Sequence, residues 1–231
     1  MTYSVNWLAL SVKSLKSTAA FYHDTLGLPI RQRSDTEWAV TAGSAAILLR
    51  RHDHHSRGGD HVHYAFETGA AAVDRWRDRL AEYGPVHEHD FGHYRSLYFF
   101  DPAGHCVEIG GRKTRSEEIT SIFEIVLEVR ELEPATVFYE TLGFKIKSTG
   151  ENRRRVRLDG GEVELELWEP HTGIAGARPG RHVDLGLSTT DVHAIRRRLG
   201  LLDNQSEGKQ TTTFTDRDNH RITLLASSLT R

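Results

Sequence analysis

Histidine and glutamate residues on short apolar segments are the side chains of this sequence that could do chemistry. The chain of 231 residues contains 14 histidines, and His61 and His63 lie two positions apart in one apolar segment. At that spacing both imidazoles point to the same face of a strand and could hold one metal ion. Glu108 lies between Val107 and Ile109, so on an alternating strand it points opposite to them. A carboxylate facing a core needs a partner, because unpaired buried charge is costly.

The elements that must position these residues form a unit that occurs four times. Alternating apolar residues predict strands, and apolar residues at a 3.6-residue period predict helices. A helix over 15–26 ends at Gly27, and the pair Gly84-Pro85 stops the next helix. The pattern predicts four βαβββ modules, with helices over 15–26, 70–82, 132–142 and 190–199.

Landmarks that recur in the same order indicate that the second half of the chain duplicates the first. They are Trp7-Leu-Ala-Leu-Ser-Val with Glu124-Ile-Val-Leu-Glu-Val, Phe21-Tyr22 with Phe138-Tyr139, His61-Val-His63 with His182-Val-Asp184, and Asp101-Pro-Ala-Gly-His105 with Asp216-Arg-Asp-Asn-His220. The polar segment from 110 to 120 has no apolar period, which is typical of a linker. We therefore predict two domains, 1–112 and 120–231.

Composition excludes several classes of protein. Hydrophobic residues make up 38% and charged residues 27%, which is typical of a globular chain. The apolar runs are shorter than the ~20 residues of a bilayer span, and the N-terminus lacks the features of a signal peptide. A net charge of -2 gives no reason to expect nucleic acid as a partner. The single cysteine, Cys106, favours a reducing compartment, so we expect a cytoplasmic protein without a membrane partner.

The motifs resemble those of the vicinal oxygen chelate superfamily, which includes glyoxalase I, extradiol ring-cleaving dioxygenases, fosfomycin-resistance enzymes, methylmalonyl-CoA epimerase and bleomycin-binding proteins. The resemblance covers essentially the whole chain and is carried by Phe21-Tyr22…Leu26-Gly27, His63-Tyr-Ala-Phe66 and Tyr98-Phe-Phe-Asp101-Pro-Ala-Gly-His-Cys-Val-Glu108. It implies an α+β fold of two tandem domains, in which pairs of βαβββ modules form curled mixed sheets, or half-barrels, with the helices outside. It also implies a divalent metal ion inside the barrel, which chelates two adjacent oxygens of a small-molecule substrate.

The resemblance implies that ligands come from the first, fifth and eighth strands of a domain, and from the fourth strand in glyoxalase-like members. In the first domain His63 matches the fifth-strand position and Glu108 matches the eighth-strand position. Trp7 stands at the first-strand position, where an indole N–H can only donate a hydrogen bond. The first domain alone therefore lacks a complete ligand set.

The second domain has the complementary defect. Asp184 is an unusual ligand at the fifth-strand position, and Thr223 is a poor one at the eighth. Glu124 is a competent ligand at the first-strand position, and Glu166 lies near the fourth-strand position. Many members of the superfamily build a site across two domains or two subunits. We therefore predict one composite metal site, formed by His63, Glu108, Glu124 and Glu166, and no metal at the reciprocal positions Trp7, Leu48, Asp184 and Thr223.

A rival site lies wholly within the first domain. His61, His63 and Glu108 would form the two-histidine, one-carboxylate set that suits non-haem Fe(II) oxygenases. However, His182 recurs at the place of His61 in the second domain, where Glu108 has no counterpart. That recurrence favours a structural role for His61. The sequence leaves the choice between the two sites open, and it also leaves open whether two chains pair as a homodimer.

Two signals point to different reactions. The segment from His89 through Tyr98 to Glu108 resembles the extradiol dioxygenase signature, with one departure at His87. That likeness implies an acid–base role for His89, a hydrogen bond from Tyr98 to the substrate, and Fe(II) as the first choice of metal, with Mn, Ni or Zn as alternatives. A glutamate-rich ligand set is instead similar to that of glyoxalase I or an epimerase, where the metal is a Lewis acid and a glutamate moves a proton.

A third reading belongs to another functional class. The chain could be a metal-free small-molecule binding or resistance protein of the same fold, with an aromatic pocket lined by Trp7, Trp38 and Trp168. In that case Glu108 would not contribute to ligand affinity. A catechol-type ring-cleaving dioxygenase is our first expectation, a lyase or isomerase our second, and a binding protein our third.

Overall fold

The computed structural model describes residues 1–52, 61–150, 154–172, 178–201 and 210–227. The first module consists of β1 (Tyr3–Val12), α1 (Leu15–Ala20), a π-helical turn (Phe21–Thr25), β2 (Ile30–Gln32), β3 (Glu37–Ala42) and β4 (Ala45–Arg51). The second consists of β5 (His63–Gly69), a 3-10 turn (Ala70–Ala72), α2 (Val73–Ala81), β6 (His87–Asp90), β7 (Arg95–Phe100) and β8 (Cys106–Arg112).

The second half of the chain repeats this order. The third module consists of β9 (Ser121–Glu128), α3 (Leu132–Leu142), β10 (Lys145–Thr149), β11 (Arg155–Asp159) and β12 (Glu164–Trp168). The fourth consists of β13 (Asp184–Thr189), α4 (Val192–Arg198), β14 (Thr211–Thr215) and β15 (Arg221–Ala226). Three modules are thus βαβββ units, and the described residues of the fourth hold two closing strands. No helix in these described ranges is long and apolar enough to cross a membrane.

The strands form two mixed sheets that curl without closing, which confirms the predicted α+β fold of tandem modules. The first sheet has the order β14-β15-β13-β1-β4-β3-β2, and the second has the order β10-β11-β12-β9-β5-β8-β7-β6. The first sheet therefore combines modules one and four, and the second combines modules two and three. The antiparallel pairs β1–β13 and β5–β9 join strands from opposite halves of the chain.

The first predicted helix departs from a regular α-helix in its second half. Beyond Ala20 the Leu26 N–H donates to the carbonyl of Phe21, five residues back, which is the π-helical pattern. The helix ends at Gly27, whose φ of 72° is a conformation that glycine adopts at no steric cost. The third helix has the predicted bounds of 132–142 and ends in the same way, at Gly143 with a φ of 106°.

The repeated landmarks form the same hydrogen-bonded link in both halves. We call each link a bracket: Tyr22 with Asp101 in one and Tyr139 with Asp216 in the other. The Tyr22 hydroxyl donates to Asp101 Oδ2 at 2.9 Å, and Tyr139 donates to Asp216 Oδ2 at 2.8 Å. Each aspartate also accepts the backbone N–H of the histidine four residues later. Each bracket ties a helix to the turn before the closing strand of the following module, so the recurring residues hold the modules together.

Candidate metal centre

Three buried side chains converge on one face of the second sheet. His63, Glu108 and Glu124 each offer one ligand atom, and these atoms lie within 4.8 Å of one another. The three residues are 2%, 1% and 2% exposed, respectively. The Nε2 of His63 lies 3.6 Å from Glu108 Oε2. A nitrogen and two carboxylate oxygens at this spacing are a donor set for a divalent cation.

The strand register explains the convergence. Ala65 on β5 is paired with Glu108 on β8 on one side and with Glu124 on β9 on the other. His63 is two residues from Ala65 and therefore points to the same face. The small Ala65 side chain leaves space between the two carboxylates. Because β9 belongs to the second half of the chain, this cluster crosses from one half to the other.

The unsatisfied ring nitrogens of His63 are the clearest sign that this site binds a ligand. Both of its ring nitrogens are buried and have no hydrogen-bond partner among the described residues. A buried imidazole in that state has lost its water without replacement, which is unfavourable. Glu108, by contrast, is oriented by Ser96, whose hydroxyl donates to Oε1 and leaves Oε2 facing His63. The residues present therefore fit a divalent metal ion.

Electrostatics also favour a cation at this point. Burial raises the pKa of Glu124 well above the ordinary carboxyl value, and the charges of Glu166 and Glu108 raise it further, against the opposing effect of Arg157. Burial, followed by the charges of Glu108 and Glu124, raises the pKa of Tyr98. Negative charge is thus concentrated in a poorly solvated space. A divalent ion bound there would compensate this charge and so oppose the rise of both pKa values.

Glu166 lines the same cavity but is held by other partners. Its Oε1 accepts from Arg157, and its Oε2 accepts from Trp168 Nε1 at 2.7 Å. Arg157 also lies 3.1 Å from Glu124 Oε2, as an ion pair without hydrogen-bond geometry. Glu166 is outside the three-residue cluster, so service as a fourth ligand would require release from these bonds. That role stays a prediction.

The two residues of the dioxygenase-like signature occupy different environments. Tyr98, on β7, is paired with Glu108, lines the cavity, and has its ring 5.9 Å from that of His63. His89 lies on the next strand out, β6, with its ring 4.3 Å from that of Phe91. Phe91 lines the cavity, whereas His89 is not among the lining residues. The catalytic roles of His89 and Tyr98 stay predictions.

His61 does not join the cluster. It precedes β5 and has a φ of 54°, so the alternation that would align it with His63 is broken at this point. Its Nδ1 lies 3.3 Å from the carbonyl oxygen of Gly104. In the described structure His63, Glu108 and Glu124 thus lie together, although they come from both halves of the chain. His61 lies apart from His63 and Glu108, so the two-histidine site within the first domain does not form.

The reciprocal positions in the first sheet are filled by the protein's own side chains. Asp184 is 1% exposed and pairs with Arg50 Nη1 at 2.5 Å, and the Arg50 guanidinium lies 5.5 Å above the Trp7 ring. Gly186 lies where the Trp7 indole packs, since an added Cβ would be 2.2 Å from Trp7 Nε1. Thr223 shares a 3.0 Å hydrogen bond with Thr213.

The cavity beside the cluster has a volume of about 160 Å³ and a polar and aromatic lining. Its lining residues are His63, Phe91, Tyr98, Glu124, Ser148, Gly150, Arg155, Arg157, Glu166 and Trp168. The contributions of Ser96, Arg155 and Arg157 were not predicted from the sequence. The alternation of Arg155 and Arg157 was a usable signal, because residues two apart on a strand share a face.

Comparison with known proteins supports the same class. The family model described as the Glyoxalase/Bleomycin resistance protein/Dioxygenase superfamily matches residues 4–109. The glutathione transferase FosA of Serratia marcescens is 29% identical over 114 residues, which cover 47% of this chain and 81% of that protein. The first half of the chain is therefore similar to this superfamily, which is the one that the sequence motifs resemble.

Solved structures of this fold extend the likeness over the full chain. A glyoxalase I variant from Zea mays superposes with a TM-score of 0.69 at 17% identity, covering 97% of this chain and 94% of that one. A Bacillus subtilis protein with a provisional dioxygenase name gives a TM-score of 0.70 at 15% identity, with coverage of 96% and 84%. At these identities the likeness shows the fold alone.

Proposed function

We propose that the chain is an enzyme that binds one divalent metal ion through His63, Glu108 and Glu124, and a small substrate through two adjacent oxygens. The observation that carries the proposal is the buried His63 imidazole, whose two nitrogens lie beside two carboxylates and have no hydrogen-bond partner in the described part of the chain. Fe(II) is the metal that the dioxygenase-like signature implies, and Mn, Ni and Zn accept the same nitrogen and oxygen donors. A small molecule is the proposed partner, and a cytoplasmic location stays a prediction.

The donor set favours proton transfer over oxygen chemistry. A bound divalent ion would supply a Lewis acid that stabilises negative charge on the substrate oxygens. Glu166 faces the same cavity and would accept the proton from the adjacent substrate carbon, while Arg157 and Trp168 fix its carboxylate. The result is a lyase or isomerase of the glyoxalase I or epimerase type. The two-histidine set typical of Fe(II) oxygenases would need His61, which is bonded to Gly104 instead.

An extradiol-type dioxygenase is the second candidate, and the burial of Tyr98 beside Glu108 favours it. Tyr98 is 5% exposed, and the raised pKa of its hydroxyl, caused first by burial, keeps it a hydrogen-bond donor. In this role it would donate to a substrate hydroxyl. A metal-free binding protein is the third candidate. Of its three tryptophans only Trp168 lines the cavity, since Trp7 lies in the other sheet and Trp38 packs on the core.

Metal content tests the site. Untagged wild-type protein is expected to retain about one metal ion per chain by elemental analysis, and Glu124→Ala is expected to lose it. His61→Ala and Asp184→Ala serve as controls and are expected to keep the metal. Loss in His61→Ala with retention in Glu124→Ala would move the site into the first domain. No metal in any variant after reconstitution would overturn the proposal in favour of a binding protein.

Two assays distinguish the reactions. Exchange of a substrate proton next to a carbonyl, followed by NMR in deuterated water, reports proton transfer, and Glu166→Gln is expected to slow it by about 100-fold or more. Oxygen uptake with catechols by the Fe(II) protein reports ring cleavage, and here Tyr98→Phe is the informative variant. Oxygen uptake without proton exchange would reject the lyase or isomerase and support the dioxygenase.

A further inference from the structure

The two arginines of β11 that line the cavity differ in their partners. Arg157 pairs with Glu124 and Glu166, and its Nε lies 3.5 Å from Glu164 Oε2. Arg155 forms no ion pair with any carboxylate in the described parts of the chain, and its guanidinium lies 5.2 Å above the ring of Trp168. Arg157 is therefore neutralised within the protein, and Arg155 is available to a ligand.

The Arg155 side chain is held in place by its surroundings. Trp168 is directly opposite Arg155 in the β11–β12 pair, and its indole is fixed by the bond to Glu166. On the other side Gly150 leaves space for the arginine stem, because an added Cβ there would lie 3.0 Å from Arg155 Cβ and 3.2 Å from Nε. A stacked guanidinium keeps its donors in one plane, so little motion is lost when it binds an anion.

Among the charged residues of the cluster and of the cavity lining, Arg155 is the one left without an opposite charge once a divalent ion is bound. The two charges of a divalent ion match Glu108 and Glu124, and Arg157 matches Glu166. The neighbouring Glu164 pairs with Lys147 and, at 3.3 Å, with Arg112. Arg155 remains as one positive charge at the edge of a poorly solvated cavity, where an opposite charge on a ligand would be attracted.

We propose that Arg155 binds an anionic group of the substrate and thereby selects substrates that carry a carboxylate or phosphonate beside their two chelating oxygens. This inference rests on the proposed function, because the chelating oxygens orient the ligand toward the metal. The planar fork of an arginine binds either kind of anion through two parallel hydrogen bonds. Arg155 is thus a specificity-determining residue, and it takes no part in proton transfer.

The test compares ligands that share a chelating group and differ in charge. Catechol, 3,4-dihydroxybenzoate and 3,4-dihydroxyphenylphosphonate are titrated into untagged protein loaded with Zn(II), which does not turn them over. In the wild type the charged ligands are expected to bind about 10- to 100-fold more tightly than catechol. The preferred member of the charged pair distinguishes a carboxylate from a phosphonate substrate.

The variants separate a specific contact from general charge. In Arg155→Met the charged ligands are expected to bind about as tightly as catechol. The affinity for catechol itself should be unchanged, and that result would also show that the variant is folded. Arg154→Met removes a neighbouring exposed charge that pairs with Glu169 and is expected to keep the preference. Arg155→Lys is expected to retain part of it. The same preference in Arg155→Met as in the wild type, or its absence from the wild type, would overturn the inference.

Failure of the proposed function would give a different result. If Zn(II) does not load, or if catechol fails to bind loaded protein with an affinity that Glu124→Ala removes, the metal site itself is rejected. If catechol binding depends on Glu124 and no charged ligand is preferred, the metal site stands and only the role of Arg155 is rejected.

Discussion

The side chains of the metal centre destabilise one another when no cation lies between them. Glu124 is 2% exposed, and the charges of Glu108 and Glu166 act on it. Arg157 offsets this only in part, because the pKa of Glu124 remains well above its ordinary value. The metal-free protein therefore holds an unfavourable charge, and metal binding would stabilise the fold by mass action.

Replacing this carboxylate should stabilise the metal-free protein and abolish metal binding. The folded protein holds a proton on Glu124 more tightly than the unfolded chain does, so this group's stabilising contribution is complete below about pH 4.5 and is lost as pH rises through the raised pKa. Glu124→Gln removes the charge, so its advantage should grow with pH to the order of 1 kcal/mol. Thermal unfolding with EDTA from about pH 4 to about pH 8 measures it.

Glu164→Gln provides the matched control for Glu124→Gln. Glu164 is also buried but pairs with Lys147, Arg112 and Arg157, so the substitution should destabilise the protein at neutral pH. Equal destabilisation by the two substitutions would contradict the account of Glu124 given above.

The Ser96 hydroxyl is the second residue whose removal tests the centre. It is fully buried and donates to Glu108 Oε1, which holds the other oxygen toward His63. Groups that orient a ligand in this way are usually worth about 10- to 100-fold in metal affinity. Ser96→Ala is expected to weaken Zn(II) binding by that factor in competition with a chelator. Thr211→Ala, at the corresponding position of the other sheet, should have no effect; unchanged affinity in Ser96→Ala would reject the orienting role.

At the scale of elements, the brackets that join helices to turns are separate from the metal centre. Tyr22 and Tyr139 reach Asp101 and Asp216 from the helical side of the two sheets. Tyr22 has a further partner, the hydroxyl of Tyr64 at 2.5 Å. Both brackets are buried, so each leaves an unsatisfied acceptor when its tyrosine hydroxyl is removed.

Tyr22→Phe and Tyr139→Phe are therefore expected to lower stability without changing metal content. Each should cost about 1–3 kcal/mol, because a buried carboxylate loses a donor. Tyr22→Phe should cost more, since Tyr64 loses a partner as well. Urea unfolding and elemental analysis of the same preparations measure the two effects. A loss of metal in either variant at full stability would link the brackets to the centre, against this prediction.

The elements were largely predictable because their periodicity is local. The third helix has its predicted bounds, since Gly143 ends it with a positive φ, whereas the π-helical turn at Phe21–Thr25 depends on packing that periodicity does not record. The candidate ligands were predicted from the strand positions that the family resemblance implies, and their division between the halves was predicted from differences between the repeats. The pairing of Arg157 with Glu166 and the position of His89 outside the cavity depend on the reach of side chains between strands, which no linear pattern contains.

At the scale of the whole molecule, the ligands of the proposed metal centre are divided between the two halves of the chain. His63 and Glu108 come from the first half, and Glu124 and Glu166 from the second. The second sheet exists because β5 pairs with β9, and the first because β1 pairs with β13. A half on its own would expose both of these strand edges, which are templates for further pairing.

Each half on its own should therefore fail to bind metal, and mixing the two halves should restore metal binding. A fragment of residues 1–112 has His63 and Glu108, but two copies paired through β5 and β1 would place Trp7, which is no ligand, where Glu124 belongs. Mixing it with a fragment of residues 113–231 is expected to restore about one metal per pair, measured by elemental analysis after gel filtration. The second fragment carrying Glu124→Ala is the control. Metal bound by the first fragment alone, as a monomer, would show that the ligands do not cross between the halves, and the duplication would then have no role in completing the centre.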